Sequence, residues 1–212
     1  DNDYGNGNIY LEEGSTTLEN SNFTGNDAKN GAALYSYYQD SITINDCNFN
    51  ENTARTSGIV NIYSTDLIYI SNSNFTGNSA KRETGLSLNW AIETYIDRCR
   101  FENNTATGRI SAIKTSGSII INNTSFIANH AKEGCTLQHL QDMYEGYTNI
   151  LNCHFINNTV DSGEIIYGTE NLTVINTTFE NNAAINGSLI LEKSNTYTYL
   201  SANRIIGEGK II

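Results

Sequence analysis

The stretch NFTGNDAKNGAALYS, residues 22–36, contains the unit that decides the fold. It places an asparagine three residues after Phe23, an alanine five residues after it, and a glycine that opens a short apolar run eight residues after it. All seven phenylalanines of the chain have an asparagine three residues later, and they recur at intervals of 24 to 29 residues. These pairs are Phe23/Asn26, Phe49/Asn52, Phe75/Asn78, Phe101/Asn104, Phe126/Asn129, Phe155/Asn158 and Phe179/Asn182. Such use of one residue type at one position predicts a repeat architecture.

Two further positions follow the same period. An aliphatic residue lies five residues before each phenylalanine, and Leu200 continues that series in a last repeat without phenylalanine. A small residue lies two residues before each phenylalanine, in the series Ser21, Cys47, Ser73, Cys99, Thr124, Cys153 and Thr177. Between the glycine and the next phenylalanine, runs such as GAALYS and SITIND alternate apolar and polar residues, which indicates short strands.

These features predict an all-β fold, a single right-handed parallel β-helix that spans residues 1–212 as one domain. We expect about 26 residues per turn and seven full repeats, with partial repeats at both ends. A repeat of this length cannot bury its apolar face alone, so the turns must stack, and like residues then form columns at about 4.8 Å spacing. The chain has no proline, which suits a fold in which almost every backbone N–H is paired. Right-handedness follows from the general bias of parallel crossovers.

The repeated asparagine is interpreted as structural rather than as a ligand for a glycan or an ion. Asparagine tolerates the left-handed backbone conformation and hydrogen-bonds the backbone at corners. Stacked copies also form amide ladders. We therefore expect a column of asparagines at one corner of the helix.

The charge and the cysteines restrict the class of protein. Lys and Arg number 12 against 23 Asp and Glu, a net charge of −11, which argues against nucleic acid as a partner. No apolar run is long enough for membrane insertion in this segment. Cys47, Cys99 and Cys153 lie two turns apart, about 9.6 Å, beyond the reach of a disulfide. Buried free thiols are the preferred interpretation, with a pairing of Cys135 to Cys99 or Cys153 left open.

No residue pattern predicts catalysis, a metal site or a cofactor. His130, His139 and His154 fall at three different repeat positions, so they form no ligand set for a metal. The aspartates considered as catalytic carboxylates are dispersed along the chain: Asp40, Asp66, Asp97 and Asp142. We predict a protein without catalytic residues and without cofactors. An enzyme acting on polysaccharides is kept as a third alternative, since parallel β-helices include such enzymes.

Two kinds of surface feature are candidates for function. Nine N-x-S/T sequons offer glycosylation sites at Asn22, Asn74, Asn103, Asn122, Asn123, Asn157, Asn171, Asn176 and Asn186, although a chain rich in Asn, Ser and Thr contains several by chance. Asn22 and Asn74 flank an inward phenylalanine and should point outward. A contact surface is predicted from Tyr35, Tyr37, Tyr38, Tyr63, Trp90, Tyr144 and Tyr147, the last two in a stretch, QHLQDMYEGYTN, that we expect to bulge as a loop. The alternative is that these rings stack on each other along a sheet.

The unit F-x-x-N-x-A followed by a glycine-led apolar run resembles the repeat of the polymorphic outer-membrane proteins of chlamydiae. It is similar also to adhesin-like surface proteins of methanogenic archaea and of protists. The matching stretches include NFTGNSAKRETGLSL and TFENNAAINGSLIL. The resemblance implies an extracellular, surface-exposed β-helix that serves in adhesion or as a stalk or spacer, with no catalytic residues. The expected partner is a cell-surface or glycan ligand, or another copy of the chain in a filament assembled end to end.

Overall fold

The computed structural model describes residues 7–140, 146–168, 171–185, 187–188, 190–192, 198–201 and 203–206. These residues form short strands joined by tight corners, and no helix occurs among them. The strands are β1 (Ile9–Glu19), β2 (Asn22–Thr24), β3 (Asp27–Asn30), β4 (Leu34–Asn45), β5 (Asn48–Asn50), β6 (Thr53–Ser57), β7 (Val60–Ser71), β8 (Asn74–Thr76), β9 (Ser79–Ala80), β10 (Leu86–Asp97), β11 (Arg100–Glu102), β12 (Thr105–Ala106), β13 (Ile110–Ser116), β14 (Ser118–Asn122), β15 (Ser125–Ile127), β16 (His130–Leu140), β17 (Tyr147–Leu151), β18 (His154–Ile156), β19 (Thr159–Gly168), β20 (Asn171–Ile175), β21 (Thr178–Glu180), β22 (Ala183–Ala184), β23 (Ile190–Glu192), β24 (Thr198–Ser201) and β25 (Arg204–Ile206).

Each turn of the molecule contains a long, a short and a third strand, and each strand pairs with its copies in the neighbouring turns. In one turn these are β4, β5 and β6, which pair in parallel with β7, β8 and β9 of the next. From the fifth turn onward the long strand is divided in two, as in β13 and β14. The short strands form one sheet of eight, and the long and third strands form another of 17. The parallel β-helix predicted from the repeat is therefore confirmed.

The phenylalanines set the register between turns. Residue by residue, each phenylalanine pairs with the phenylalanine of the next turn, and Phe179 pairs with Ile205 in the last. Successive rings stack with centroids 4.5 to 5.2 Å apart and planes inclined by 5 to 11°. All are buried except Phe23, which is half-buried at the first described turn. Burial of one such ring contributes roughly 1.5–3 kcal/mol, so this column is the main part of the core.

The column of small residues lies inside the helix as well, and its cysteines take the place of hydroxyl residues. The hydroxyl of Ser73 donates to the carbonyl of Ser71 at 2.7 Å and accepts the backbone N–H of Cys47 at 3.1 Å. One turn earlier, the thiol of Cys47 donates in the same way to the carbonyl of Asn45 at 3.3 Å. All four cysteines are free and buried, which confirms the prediction of free thiols and settles the open alternative for Cys135.

The repeated asparagines form a buried amide ladder, as predicted, but their backbone conformation was predicted wrongly. None of them has a positive φ. The left-handed conformation belongs to the residue directly before the asparagine, as at Glu51 (φ 54°), and to the residue three before the phenylalanine, as at Asp46 (φ 52°). Those two corners turn the chain into and out of the short strand β5. The asparagine that follows does not share this conformation, and from Asn52 onward it is buried in the interior.

Most residues at these two corners are of types that readily adopt the left-handed conformation. In each corner column, five of seven residues are asparagine or glycine, the types that adopt positive φ with least strain. The column before the phenylalanine is Asn20, Asp46, Asn72, Arg98, Asn123, Asn152 and Asn176, and the column after it is Gly25, Glu51, Gly77, Asn103, Ala128, Asn157 and Asn181.

Candidate binding site at an aromatic corner

A third left-handed corner lies within the long strands, and it carries large aromatic residues. In four consecutive turns it is formed by Glu13 (φ 62°), Tyr38 (φ 51°), Ser64 (φ 51°) and Trp90 (φ 57°). Positive φ strains a bulky side chain, because Cβ then approaches the following carbonyl oxygen. The two rings are nonetheless directed into solvent, with Tyr38 61% and Trp90 51% exposed. The fold thus holds two aromatic side chains at an outer corner in a conformation that disfavours them.

Further tyrosines pack behind these two rings and complete one aromatic patch. Tyr37 and Tyr63 stack with centroids 4.9 Å apart and planes at 12°. The ring centroids of Tyr38 and Tyr37 are 5.7 Å apart, and those of Trp90 and Tyr63 are 5.9 Å apart in an edge-on arrangement. Tyr37, Tyr38, Tyr63 and Trp90 of the predicted contact surface therefore come together, with the inner rings stacked and the outer rings exposed. A contact role for this patch stays a prediction.

Tyr35 is a correction to the predicted contact surface. It is buried, because Tyr10, Tyr37 and Tyr63 surround its ring at centroid distances of 5.3 to 6.0 Å. Its hydroxyl donates to the Tyr37 hydroxyl at 3.1 Å, and burial raises its pKa above the usual tyrosine range. Tyr35 supports the patch from beneath and offers no surface to a ligand.

A cleft of about 480 Å³ opens between the two exposed rings. Its depth comes from Ser64, a small residue in the turn between the two aromatic ones. Its base is held by Gln39, which is buried, donates to the Glu13 carbonyl at 2.6 Å and accepts the Thr16 hydroxyl at 2.8 Å. The cleft is lined by Tyr38, Gln39, Asp40, Ser64, Asp66, Trp90 and Ile92.

The cleft carries negative charge without a counter-charge. Asp40 and Asp66 occupy consecutive turns, and both are exposed. Each directly precedes one member of the pair Ser41 and Leu67, which are register partners in β4 and β7. Among the described residues, neither carboxylate has a hydrogen bond or an ion pair, and no lysine or arginine lines the cleft. The interpretation of the aspartates as dispersed overlooked this pair. Their separation of 26 residues, one full repeat, was the signal for it.

Tyr147 lies apart from this patch. Its hydroxyl donates at 3.1 Å to Oε1 of Glu93, which also accepts the hydroxyl of Tyr95 at 2.7 Å. That second hydrogen bond raises the pKa of Tyr95 to about 12. Tyr95 stacks on Tyr69 at 5.0 Å, so these rings form a second aromatic group on the later half of the long strands. Tyr144 and the central residues 141–145 of the predicted loop lie outside the described residues, whereas residues 138–140 and 147–149 on either side belong to β16 and β17.

The sequons divide into three groups. Exposed ones are Asn22, Asn103, Asn123, Asn157, Asn171 and Asn176; Asn74 and Asn122 are half-buried; and Asn186 lies outside the described residues. Nδ2 of Asn74, the atom that would carry a glycan, donates to Oδ1 of Asn48 at 2.9 Å in an outer amide ladder. Asn103, Asn123, Asn157 and Asn176 instead stand at exposed left-handed corners. Nδ2 of Asn123 donates to Oδ1 of Asp97 at 3.2 Å and Nδ2 of Asn176 to Oδ1 of Asn152 at 2.8 Å, whereas Nδ2 of Asn103 and of Asn157 has no such bond among the described residues. Glycosylation stays a prediction, and the geometry favours these two corner sites.

The histidines and the carboxylates form no metal centre in the described part of the chain, where no group of three or more His, Cys, Asp or Glu side chains could hold a metal ion. His139 is buried, with Nδ1 2.6 Å from the Thr148 hydroxyl, and burial lowers its pKa to about 4. His130 lies on the surface beside Thr159, and His154 is exposed in another turn. The described residues include no helix that could cross a membrane.

Comparison with known proteins agrees with this architecture. A family model described as right handed beta helix region matches residues 7–205. No curated protein and no solved structure matches the chain. The family match confirms the predicted handedness together with the fold class.

Proposed function

The chain belongs to the right-handed β-helix family, and from that premise we propose that it is a non-catalytic, extracellular surface protein with an adhesin-like or stalk role. Its contact site is the aromatic corner formed by Tyr38, Ser64 and Trp90. The observation that carries this proposal is the exposure of two large aromatic rings at left-handed positions. Its partner is a glycan or another component of a cell surface.

Stability alone does not account for aromatic residues at this corner. A left-handed conformation costs roughly 1–2 kcal/mol for a residue with a Cβ atom, and the other corner columns avoid much of this strain with asparagine and glycine. Tyr38 and Trp90 recover little by burial, since more than half of each is exposed. Strained residues cluster at active sites and ligand clamps, where the surrounding structure holds them in place. A rigid ladder beneath an exposed aromatic pair is suited to binding.

The resemblance of the F-x-x-N repeat to chlamydial, archaeal and protist surface proteins supports the extracellular location. The exposed sequons at Asn103 and Asn157 are consistent with it. The inward columns and the paired backbone also suit a stalk that must resist proteolysis, because few backbone groups are free to enter a protease.

A binding experiment with matched variants tests the proposal. The purified chain is applied to immobilised glycans and to intact cells, beside the Trp90→Ser and Tyr38→Ser variants. Tyr69→Ser is the control, since Tyr69 is also exposed but belongs to the second aromatic group. We expect the first two variants to lose binding and the control to keep it. Equal binding by the unmodified chain and all three variants would show that the aromatic corner is not the contact site.

A second candidate is an enzyme acting on polysaccharides, favoured by the adjacent carboxylates of Asp40 and Asp66 in an open cleft. Glycosidases use such a pair as acid and as base or nucleophile. This candidate predicts that the chain releases reducing ends from a polysaccharide and that Asp66→Asn abolishes the release. Binding without product formation would favour the adhesin-like role.

Assembly into a filament by end-to-end stacking remains an alternative prediction for the same fold. Electron microscopy of the purified chain at high concentration distinguishes a filament from a monomeric stalk. Fibres with a subunit repeat equal to a whole number of turns would support the filament. Separate particles would support the stalk.

A further inference from the structure

We infer that the aromatic cleft binds an organic ammonium group, held between Tyr38 and Trp90 with Asp40 and Asp66 as its counter-charges. This inference deepens the proposed function and rests on it, because it names the chemistry of the ligand at the same corner. The shared chemistry is a positively charged nitrogen on a carbon framework. It is found in quaternary ammonium headgroups and in amino sugars.

The spacing of the two rings suits a cation between them. Tyr38 and Trp90 are two turns apart, which places them about 9.6 Å from each other along the ladder. A cation midway between these two backbone positions would lie about 4.8 Å from each along the ladder, inside the roughly 6 Å over which the face of an aromatic ring attracts a cation. Ser64, in the intermediate turn, leaves that volume open. An aromatic residue at this position would fill it.

The charges of the cleft select a cation over a neutral ligand. Asp40 and Asp66 face the same volume from consecutive turns, about 4.8 Å apart along the ladder, and their like charges repel each other. A neutral sugar would leave this repulsion in place, whereas an ammonium group would relieve it. Ile92, which is 50% exposed, adds apolar surface against which methyl or methylene groups can pack.

A metal ion fits the cleft less well than an organic cation. Calcium takes about six to eight oxygen ligands, whereas the cleft offers two carboxylates, the Ser64 hydroxyl and a Gln39 amide whose polar atoms are already hydrogen-bonded, beside aromatic and aliphatic side chains. Aromatic faces are poor ligands for such an ion, but they are the usual surroundings of alkylated ammonium groups.

The single tryptophan of the chain makes the site observable, because all tryptophan fluorescence comes from Trp90. Choline is titrated into the protein at low salt, and 3,3-dimethylbutanol, its uncharged isostere, is titrated in parallel. We expect a saturable change with choline and an affinity about tenfold weaker for the isostere. Asp40→Asn with Asp66→Asn should weaken choline binding by a similar factor and leave binding of the isostere unchanged. The inference would be overturned if choline and glucosamine each bind no better than their uncharged counterparts, 3,3-dimethylbutanol and glucose, or if none of the four compounds gives a response.

Glucosamine and glucose, titrated in the same way, separate the two sources of ammonium. Stronger binding of glucosamine than of choline identifies an amino sugar, and the reverse order identifies a quaternary headgroup. Failure of this inference is distinguishable from failure of the proposed function. Loss of cell binding in Trp90→Ser without any preference for ammonium would keep the proposed function and reject the inference. Ammonium binding by a chain that attaches to no glycan or cell would keep the site and reject the adhesin-like role.

Discussion

Oδ1 of Asn104 accepts two hydrogen bonds from Asn78 of the preceding turn, one from the backbone N–H at 3.1 Å and one from Nδ2 at 3.0 Å. Nδ2 of Asn104 in turn donates to the Phe75 carbonyl at 2.8 Å and to Oδ1 of Asn129 at 2.9 Å. One buried side chain therefore connects three turns of the helix. The same four hydrogen bonds recur at Asn52, Asn78, Asn129 and Asn158, so the ladder ties the corners of successive turns together through the middle of the helix.

Replacing Asn104 with alanine should destabilise the chain strongly. The change removes all four hydrogen bonds and leaves the buried backbone N–H of Asn78 without its acceptor, whereas Oδ1 of Asn129 still accepts the backbone N–H of residue 104 at 3.1 Å. At about 1–3 kcal/mol for the unsatisfied N–H and about 1 kcal/mol for each other lost hydrogen bond, we expect a loss of about 3–5 kcal/mol in the free energy of unfolding. Urea denaturation measures it. The control is Asn103→Gly, an exposed corner with positive φ, which should change stability by less than about 1 kcal/mol. Similar losses in both variants would show that the ladder is not a special source of stability.

The phenylalanine column predicts a dependence on position. Phe101 is fully buried and stacks on both neighbours, at 4.7 and 5.2 Å, so Phe101→Ala should cost about 3–5 kcal/mol. Phe23 is half-buried and has a described ring contact on one side only, with Phe49 at 5.1 Å. Phe23→Ala should therefore cost clearly less. Thermal unfolding of the two variants ranks them, and a larger effect at Phe23 would contradict the column as the main part of the core.

The cysteines should be chemically silent in the folded chain. Burial raises the pKa of Cys99 and of Cys153 to about 12, and it also raises the pKa of the Cys47 and Cys135 thiols. We expect no labelling by a thiol reagent at pH 8 under native conditions, and four labelled thiols in guanidinium. Rapid native labelling at any position would show that the interior opens. Cys99→Ser should be tolerated within about 1.5 kcal/mol, because hydroxyl residues occupy the same column in other turns.

His139 predicts a pH dependence of stability. Burial lowers its pKa from 6.5 to about 4, so between these values the unfolded chain binds more protons than the folded one. The contribution of neutral His139 to the free energy of unfolding is therefore complete above pH 6.5. It is lost as the pH falls toward 4, and the total loss is about 3 kcal/mol. The slope of unfolding free energy against pH should flatten in His139→Gln. It should persist in His154→Gln, the exposed control, and an unchanged slope in the first variant would exclude His139 as the cause.

Much of the fold could be predicted because the turns stack, and each inward position therefore recurs once per turn. Phe75 and Ser73 belong to two such positions, which keep the same spacing from one another in every repeat. A residue's place in the repeat therefore determined whether it faces the core. Backbone conformation is not encoded in that spacing. The asparagine after each phenylalanine was therefore assigned the left-handed conformation of its neighbour, although its side chain was correctly placed in a ladder.

The candidate site was predicted less completely, for a physical reason. The outward residues of the long strands do not follow the phenylalanine period in type: the third corner holds Tyr38 in one turn and Ser64 in the next. Aromatic residues could be grouped by their abundance, but Tyr35 alternates inward beneath its neighbours and is buried. The cleft depends on a small residue between two large ones, and on the carboxylate pair of Asp40 and Asp66, which only the register between β4 and β7 brings together.

The most direct measurement concerns Trp90→Asn, made with Ala128→Gly as a control that relieves strain at another left-handed corner. We predict that Trp90→Asn leaves the free energy of unfolding unchanged or raises it by up to about 1 kcal/mol, as in the control, because asparagine tolerates positive φ. The same variant should lose binding to immobilised glycans and cells. That combination would show that the ring at this corner is present for binding. A loss of more than about 1.5 kcal/mol with binding retained would make Trp90 a structural residue and contradict the account.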